Sequence, residues 1–388
     1  MSDTVHEPPG ALEQDFSPDA EAQRAEAPKP VADERLGGWT REGVIWTIVG
    51  VIFLAWAIWA FIDDGTLFVA LLGAGLAKGA IVALSALGFV MIIKATGIAN
   101  FAQGDLITLG AFLGFWATDK TGLAKNGLSL SLGIGYLVAL ALMFVIGVGI
   151  ERVAYAPLKG RDVHVVVIAT LGVAIIIRTI LAIWQGTEPR FMQSWFSTGK
   201  SLDGFLIFDN GLLRINIGFL GIHDAVISAQ RVVIMAITAA VVIAIMLLFA
   251  KTSFGRQVRA IAADRETARL YGVPASRLSM LSFGISAALA GLAGLLIGPL
   301  GSFDLTVGFT YMLLGFAAVT LGGFTSIPGV VAGGVMIGLT EELFGGQMLP
   351  MVLGNDALKY RATLPYVLML VVIAVRPQGL FGRIGGRL

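Results

Sequence analysis

The sequence predicts an all-α protein, a polytopic membrane helical bundle of about ten spans, some of them short or broken. Three observations predict it. Of 388 residues, 56% are hydrophobic and only 14% are charged, against about 25% charged in a soluble globular domain. The apolar residues gather into runs, most of them near the length a ~30 Å hydrocarbon core requires. The 50 glycines suit helices that approach closely, because small residues drive packing where lipid offers no hydrophobic contrast. The formal net charge of +1 points to no partner. The lack of cysteine excludes disulfides, thiolate metal sites and cysteine nucleophiles.

Residues 1–42 hold roughly ten acids against four bases and almost no large apolar side chains. Such a stretch buries too little surface to offset its ordering entropy and is expected to be a disordered acidic tail. It lacks the basic start and apolar core of a signal peptide. A first span follows, Val44 to Ile62, closed by the turn Asp63-Asp64-Gly65. Lys78 is costly at mid-membrane, about 2.5–3.5 kcal/mol on insertion scales. The second span is therefore expected to begin near Lys78 and end near Lys94, with Leu67–Leu76 at the outer interface, so that 43–76 is an extra N-terminal unit. Residues 77–383 are expected to form the main membrane domain, and 384–388 a short tail.

Within that domain the third span is Asn100–Trp116 and the fourth Leu128–Ile150. A polar link, Glu151–His164, leads to a fifth at Val165–Ile183. The gap at 185–228 contains Trp195, Phe205, Phe208 and Asp209-Asn210-Gly211, and reads as a small ordered hairpin cap. The sixth span is Arg231–Ala250. Beyond residue 277 come Leu278–Leu300, Thr310–Gly323, Gly329–Phe344 and Leu364–Val375, then a basic tail. Placing basic links in the cytoplasm puts the tail, Glu151–His164 and 251–277 inside, and the hairpin cap and the Asp63-Asp64 turn outside. An even span count puts residue 1 inside too. Lys120 and Lys125 are exceptions on the outer side.

The stretch 251–277 is the strongly polar insertion between apolar runs, with Lys251, Arg256, Arg259, Arg265, Arg269 and Arg277 against Asp264 and Glu266. Thr252 or Ser253 starts a helix there, Gly272 ends it and Pro274 confirms the stop. Residue types alone leave two readings, a solvated connector or a handle for a soluble partner.

Several spans are interrupted. Asn100, Gln103 and Asp105 sit in the third, and Thr320, Gly322, Gly323, Thr325 and Pro328 lie between the eighth and ninth. Broken helices at membrane depth persist where they are buried in protein or line a cavity, which makes Asn100, Gln103, Asp105, Thr320 and Glu341 candidates for a solute path. The alternative for the first group is a loop at the membrane edge, with Asp105 capping a helix from Leu106. Glu341 and Glu342 are placed at the outer mouth. Arg178, deep in the fifth span, is expected to snorkel outward, with a polar cavity as the alternative. Gly110/Gly114, Gly329/Gly333 and Gly334/Gly338 have the spacing of close helix packing.

Catalytic and metal-binding patterns are missing. His6, His164 and His223 are far apart, and there is no His-Glu-x-x-His or Gly-x-Ser-x-Gly. Gly199-Lys200-Ser201 has the end of a phosphate loop, but Ser194 stands where its first glycine belongs. If ATP drives this chain, the ATPase is a separate polypeptide.

Five blocks carry a family resemblance. GIANFAQGD at Gly97–Asp105, IERVAYAPLKG at Ile150–Gly160, AADRETARLYGVP at Ala262–Pro274, TLGGFTSIPGVVAGGVMIGLTEEL at Thr320–Leu343 and RPQGLFGR at Arg376–Arg383 resemble, in family order, the LivH-type permeases of branched-chain amino acid ATP-binding cassette (ABC) importers. The resemblance implies a non-enzymatic subunit in the bacterial inner membrane that moves branched-chain amino acids by alternating access. Urea or short amides are other family solutes. An ATP-independent secondary transporter is a less favoured reading, since the spans hold few acids for ion coupling. The implied partners are a second permease (LivM-like or a second copy), two ATP-binding subunits holding ATP and Mg, and an extracytoplasmic solute-binding protein. No cofactor is expected in this chain itself. The resemblance also assigns ATPase coupling to Asp264, Glu266, Ala268, Leu270 and Gly272, although Thr267 replaces the middle alanine of the Glu-Ala-Ala pattern.

Overall fold

The computed structural model describes residues 55–117, 130–192, 206–209, 212–217, 222–324, 326–376 and 378–381, and two short strands before them. The chain divides into two units, Met1–Trp59 and Ala60–Leu388. In the first, β1 (Arg35–Leu36) pairs antiparallel with β2 (Trp39–Thr40). The rest of the acidic tail and most of the expected first span lie outside the described residues, as do Lys120 and Lys125.

The second unit is a helical bundle. Its long helices are α1 (Gly65–Thr96), α3 (Leu130–Ile150), α4 (Val163–Gln185), α5 (Ala229–Lys251) and α8 (Ala275–Ile297), with shorter α2 (Gln103–Phe115), α9 (Val307–Gly322), α10 (Ile327–Leu339) and α12 (Leu364–Val375). Two brief helices, α6 (Ser253–Ala263) and α7 (Arg265–Leu270), lie between α5 and α8. A π-helical turn, Thr340–Met348, extends α10 into α11 (Leu349–Leu353), and a 3-10 turn at Asn355–Thr363 leads into α12. Among the described residues, seven helical segments are long and apolar enough to cross a membrane, and α9 is a shorter apolar helix. Seven candidate spans together with shorter helices such as α9 and α2 fit a polytopic helical membrane bundle.

One expectation is corrected. The second span does not begin at Lys78: Asp64 accepts from Leu67 N–H at 2.9 Å and starts a continuous helix of 32 residues. At 1.5 Å per residue that is about 48 Å, longer than the hydrocarbon core. Lys78 does not break it, because its ammonium has anionic partners.

Helices α1 and α8 are mostly buried and form the centre, while α3, α4, α5 and α12 turn much of their surface outward. Glycine lets the backbones meet. A Cβ on Gly338 would collide with Gly75 and Gly79 of α1, and one on Gly110 with Gly291 of α8. Gly114 faces Leu295, Gly333 faces Ala318 and Gly334 faces Ala83. The glycine spacings therefore serve packing within this chain.

The 185–228 cap is ordered where described. Strands β4 (Leu206–Asp209), β5 (Leu212–Ile217) and β6 (Ile222–Ser228) form an antiparallel sheet, with Asp209 opposite Leu212. Asn210 and Gly211 lie outside the described residues, as do Trp195 and Phe205. Ile227 rests on Gly73, which places the sheet near the Gly65 end of α1. Also, β3 (Arg190–Phe191) pairs with β7 (Ser302–Phe303), tying the exit of α4 to the entry of α9.

Candidate functional site

The chain leaves α1 at Gly97, whose φ of +80° favours glycine. The following turn runs into the protein. Asn100 is buried, its Oδ1 accepting from Ala102 N–H at 3.0 Å, and Phe101 N–H donates to Thr170 Oγ1 on α4. Helix α2 then starts beside the middle of α1 and α8. Ser286 Oγ lies 3.0 Å from Gln103 Oε1 and 2.8 Å from the Gly88 carbonyl. Gly88 is a residue without a side chain where the Gln103 amide needs the space. The break after α1 is thus a buried helix start within the bundle, not a loop at its edge.

Asp105 occupies the first turn of α2, where a negative charge complements the helix dipole. It does not cap that helix. Its two oxygens accept from Arg178 Nε at 2.8 Å and Nη2 at 3.2 Å, a bidentate pair. Arg178 lies about 22 Å along α4, and it turns to Asp105 instead of snorkelling outward. The Asp105 carboxylate is 4% exposed, but the Arg178 side chain is 40% exposed.

A second charged site lies closer to the hairpin sheet. Lys78 Nζ is 2.6 Å from Glu341 and 3.0 Å from Glu342, and Arg361 reaches Glu342 at 3.6 Å. Both glutamates stand on the π-helical turn. Glu341 therefore faces the interior of the bundle. Thr320 donates to the Phe316 carbonyl of its own helix at 2.9 Å. Beyond it, Gly323 (φ +85°) ends α9, and Ser326 caps α10 by accepting from Gly329 N–H. Leu380 N–H donates to Leu321 O at 2.7 Å, so the C-terminal turn closes over this corner. Thr325 lies outside the described residues. Asn100, Gln103 and Asp105 come together around the start of α2, while Thr320 and Glu341 belong to two other places.

The polar insertion is two helices, not one. Thr252 Oγ1 accepts from Gly255 N–H and starts α6. Val258 and Ile261 press its apolar face on the bundle, and Gly255 lies against the backbone of Phe249, whose carbonyl also accepts from Arg259. Asp264, in extended backbone, ends α6 and caps α7, accepting from Glu266 N–H at 2.9 Å, Thr267 N–H at 3.1 Å and Thr267 Oγ1 at 2.5 Å. The Thr267 hydroxyl holds the Asp264 carboxyl below the usual carboxylate range. Ala268 is the buried contact of α7, and Glu266 lies in its first turn. Gly272, at φ +79°, ends the segment, its N–H donating to Arg269 O. Leu270 and Tyr271 stand 87% and 85% exposed, an apolar knuckle on an otherwise basic surface.

The link after α3 brings Lys159 within electrostatic range of Arg265 and Arg269 on α7. Burial lowers the Lys159 ammonium from its ordinary value; Glu151 opposes the shift, and Arg265 and Arg269 reinforce it.

A family model described as the permease component of branched-chain amino acid transport systems matches residues 71–373. This chain belongs to that family. It is similar to the high-affinity branched-chain amino acid transport system permease protein BraD of Pseudomonas aeruginosa, 31% identical over 314 residues, covering 80% of this chain and 94% of BraD. The similarity to LivH of Escherichia coli K12 is 28% over 313 residues, with the same coverage. LivM of Salmonella typhimurium is 26% identical over 321 residues, covering 76% of this chain and 66% of LivM. The apolar helices and the family together make this a multi-pass membrane protein of the branched-chain ABC permease group. Sequence reasoning reached the family but missed who pairs with Lys78 and Arg178. The available signal was the presence of unpaired charges inside apolar runs, which demand partners.

Proposed function

We propose that this chain is a transport subunit, not an enzyme, of an ABC importer, and that it moves branched-chain amino acids across the bacterial inner membrane. Two separate ATP-binding subunits hold the ATP and Mg, an extracytoplasmic binding protein delivers the solute, and a second permease, LivM-like or a second copy, completes the path. Both termini lie in the cytoplasm in this reading.

The observation that carries it is the Leu270–Tyr271 knuckle. Two large apolar side chains standing free on a short capped helix are a surface for another protein to grip. The grip transmits force because α6 is anchored: Val258 and Ile261 sit in the bundle, and Gly255 and Arg259 join α6 to the end of α5. Closing of an ATPase pair would then rock α5 and α8 together and alternate the access of the solute path.

The test is uptake of radiolabelled leucine into vesicles containing the chain with its partners. Uptake requiring ATP, the ATPase subunits and the binding protein is the expected result. Uptake needing none of them would overturn the importer reading, and uptake of urea or a short amide in place of leucine would overturn the solute.

A further inference from the structure

We propose that the Asp105–Arg178 pair is the place where a zwitterionic solute is read in passage. The solute's carboxylate replaces Asp105 on the guanidinium, and its ammonium replaces Arg178 on the carboxylate. The inference rests on the importer reading and deepens it by locating what distinguishes an amino acid from an uncharged amide.

Four observations support it. The pair lies at membrane depth, where charged side chains are found facing a bundle interior or a watery cavity and not lipid. Yet Arg178 is 40% exposed, at the flank between the buried stripe of α4 (Thr170, Ala174, Leu181) and its outward face. In the proposal this open flank is a wall of the solute path. Among the described residues, only Asp105 accepts a hydrogen bond from Arg178, through Nε and Nη2, so three of its five N–H donors are available to a carboxylate. Asp105 is held on a rigid helix start, whereas Arg178 is long and half open, so the arginine is the partner able to swing aside. Ile175 and Leu171, exposed about one and two turns below Arg178, offer an apolar bed for an aliphatic side chain. The Lys78 site does not qualify, since its ammonium is shared by two carboxylates and all three groups are enclosed.

The test uses the complete transport complex in vesicles and the double variant Asp105→Asn/Arg178→Gln, which keeps shape and hydrogen bonding but removes both charges. Leucine uptake per assembled complex is expected to fall at least tenfold, while co-purification of the subunits and the thermal melting of the complex stay near the wild type. A variant that assembles and takes up leucine normally would overturn the inference and leave the pair as a structural bridge. If the double variant does not assemble, Arg178→Lys decides: it keeps the charge pair but loses the two-pronged fork. A severalfold rise in half-saturating leucine supports the inference, and unchanged kinetics overturns it. Wild-type complex that transports urea but no leucine would overturn both the amino acid reading and this inference. Wild-type uptake of leucine with an unaffected double variant overturns the inference alone.

Discussion

The two charged sites inside the bundle differ in one respect that separates their roles. Lys78, Glu341 and Glu342 form a closed cluster, with side chains 19%, 7% and 13% exposed, and the open Arg361, 45% exposed, meets it only through Glu342 at 3.6 Å. Asp105 and Arg178 form a simple pair whose cation stands half open. A closed cluster fixes geometry: it holds the π-helical turn against α1. A half-open pair can be broken by a competing ion pair at small cost, because one member keeps some solvation when released. The lesson is that a charge at membrane depth is classified by what its cation can still reach, not by its depth.

The closed site should break hardest. Lys78→Met leaves Glu341 without its cation and Glu342 with Arg361 at 3.6 Å, and removing one partner of a buried bridge costs about 3–5 kcal/mol. Little folded protein should reach the membrane, and adding Glu341→Gln and Glu342→Gln should restore it, as read by membrane yield and thermal melting. Packing beneath that site comes next. Gly338→Val drives a side chain into Gly75 and Gly79, and overpacking costs about 1–3 kcal/mol, so melting should drop with Lys78 intact. The half-open site should be milder. Asp105→Ala strands a cation that remains 40% exposed, and solvent screening limits the loss to about 1 kcal/mol, with uptake falling far more than stability. A larger loss at Asp105 than at Lys78 would reverse the comparison.

The smallest effect lies outside the bundle, at Asp264. Its folded carboxyl is held below the usual range, so the cap contributes fully above the unfolded value of about 3.9 and is lost as pH falls through the lower folded value. Amide exchange at Glu266 and Thr267, measured as protection relative to the intrinsic rate, should show protection at neutral pH that is lost only in acid. Asp264→Ala should lower that protection at neutral pH and change little in strong acid.

The spans were legible because apolar runs are local. Leu364–Val375 matches its helix end to end, and Leu278–Leu300 is offset from α8 by three residues at either end. Gly272 and Thr252 were legible for the same reason, since caps are written within a turn or two. The split at Asp264 was readable in principle from Asp264 and Thr267, a cap and its third residue, but lay hidden in an unbroken run of helix formers. The ion pairs were not legible. Lys78 and Glu342 are 264 positions apart and Asp105 and Arg178 are 73 apart, and no local pattern links them. Treating Lys78 as unpaired is what misplaced the start of α1.

Because the chain has no cysteine, Leu270→Cys gives a single reporter on the knuckle. Its labelling by a membrane-impermeant maleimide can be compared in intact cells, in inside-out vesicles stripped of the ATPase subunits, and in vesicles that retain them. The account predicts no labelling in intact cells, rapid labelling in stripped vesicles and protection when the ATPase is present. Labelling in intact cells, or equal rates with and without the ATPase, would contradict it.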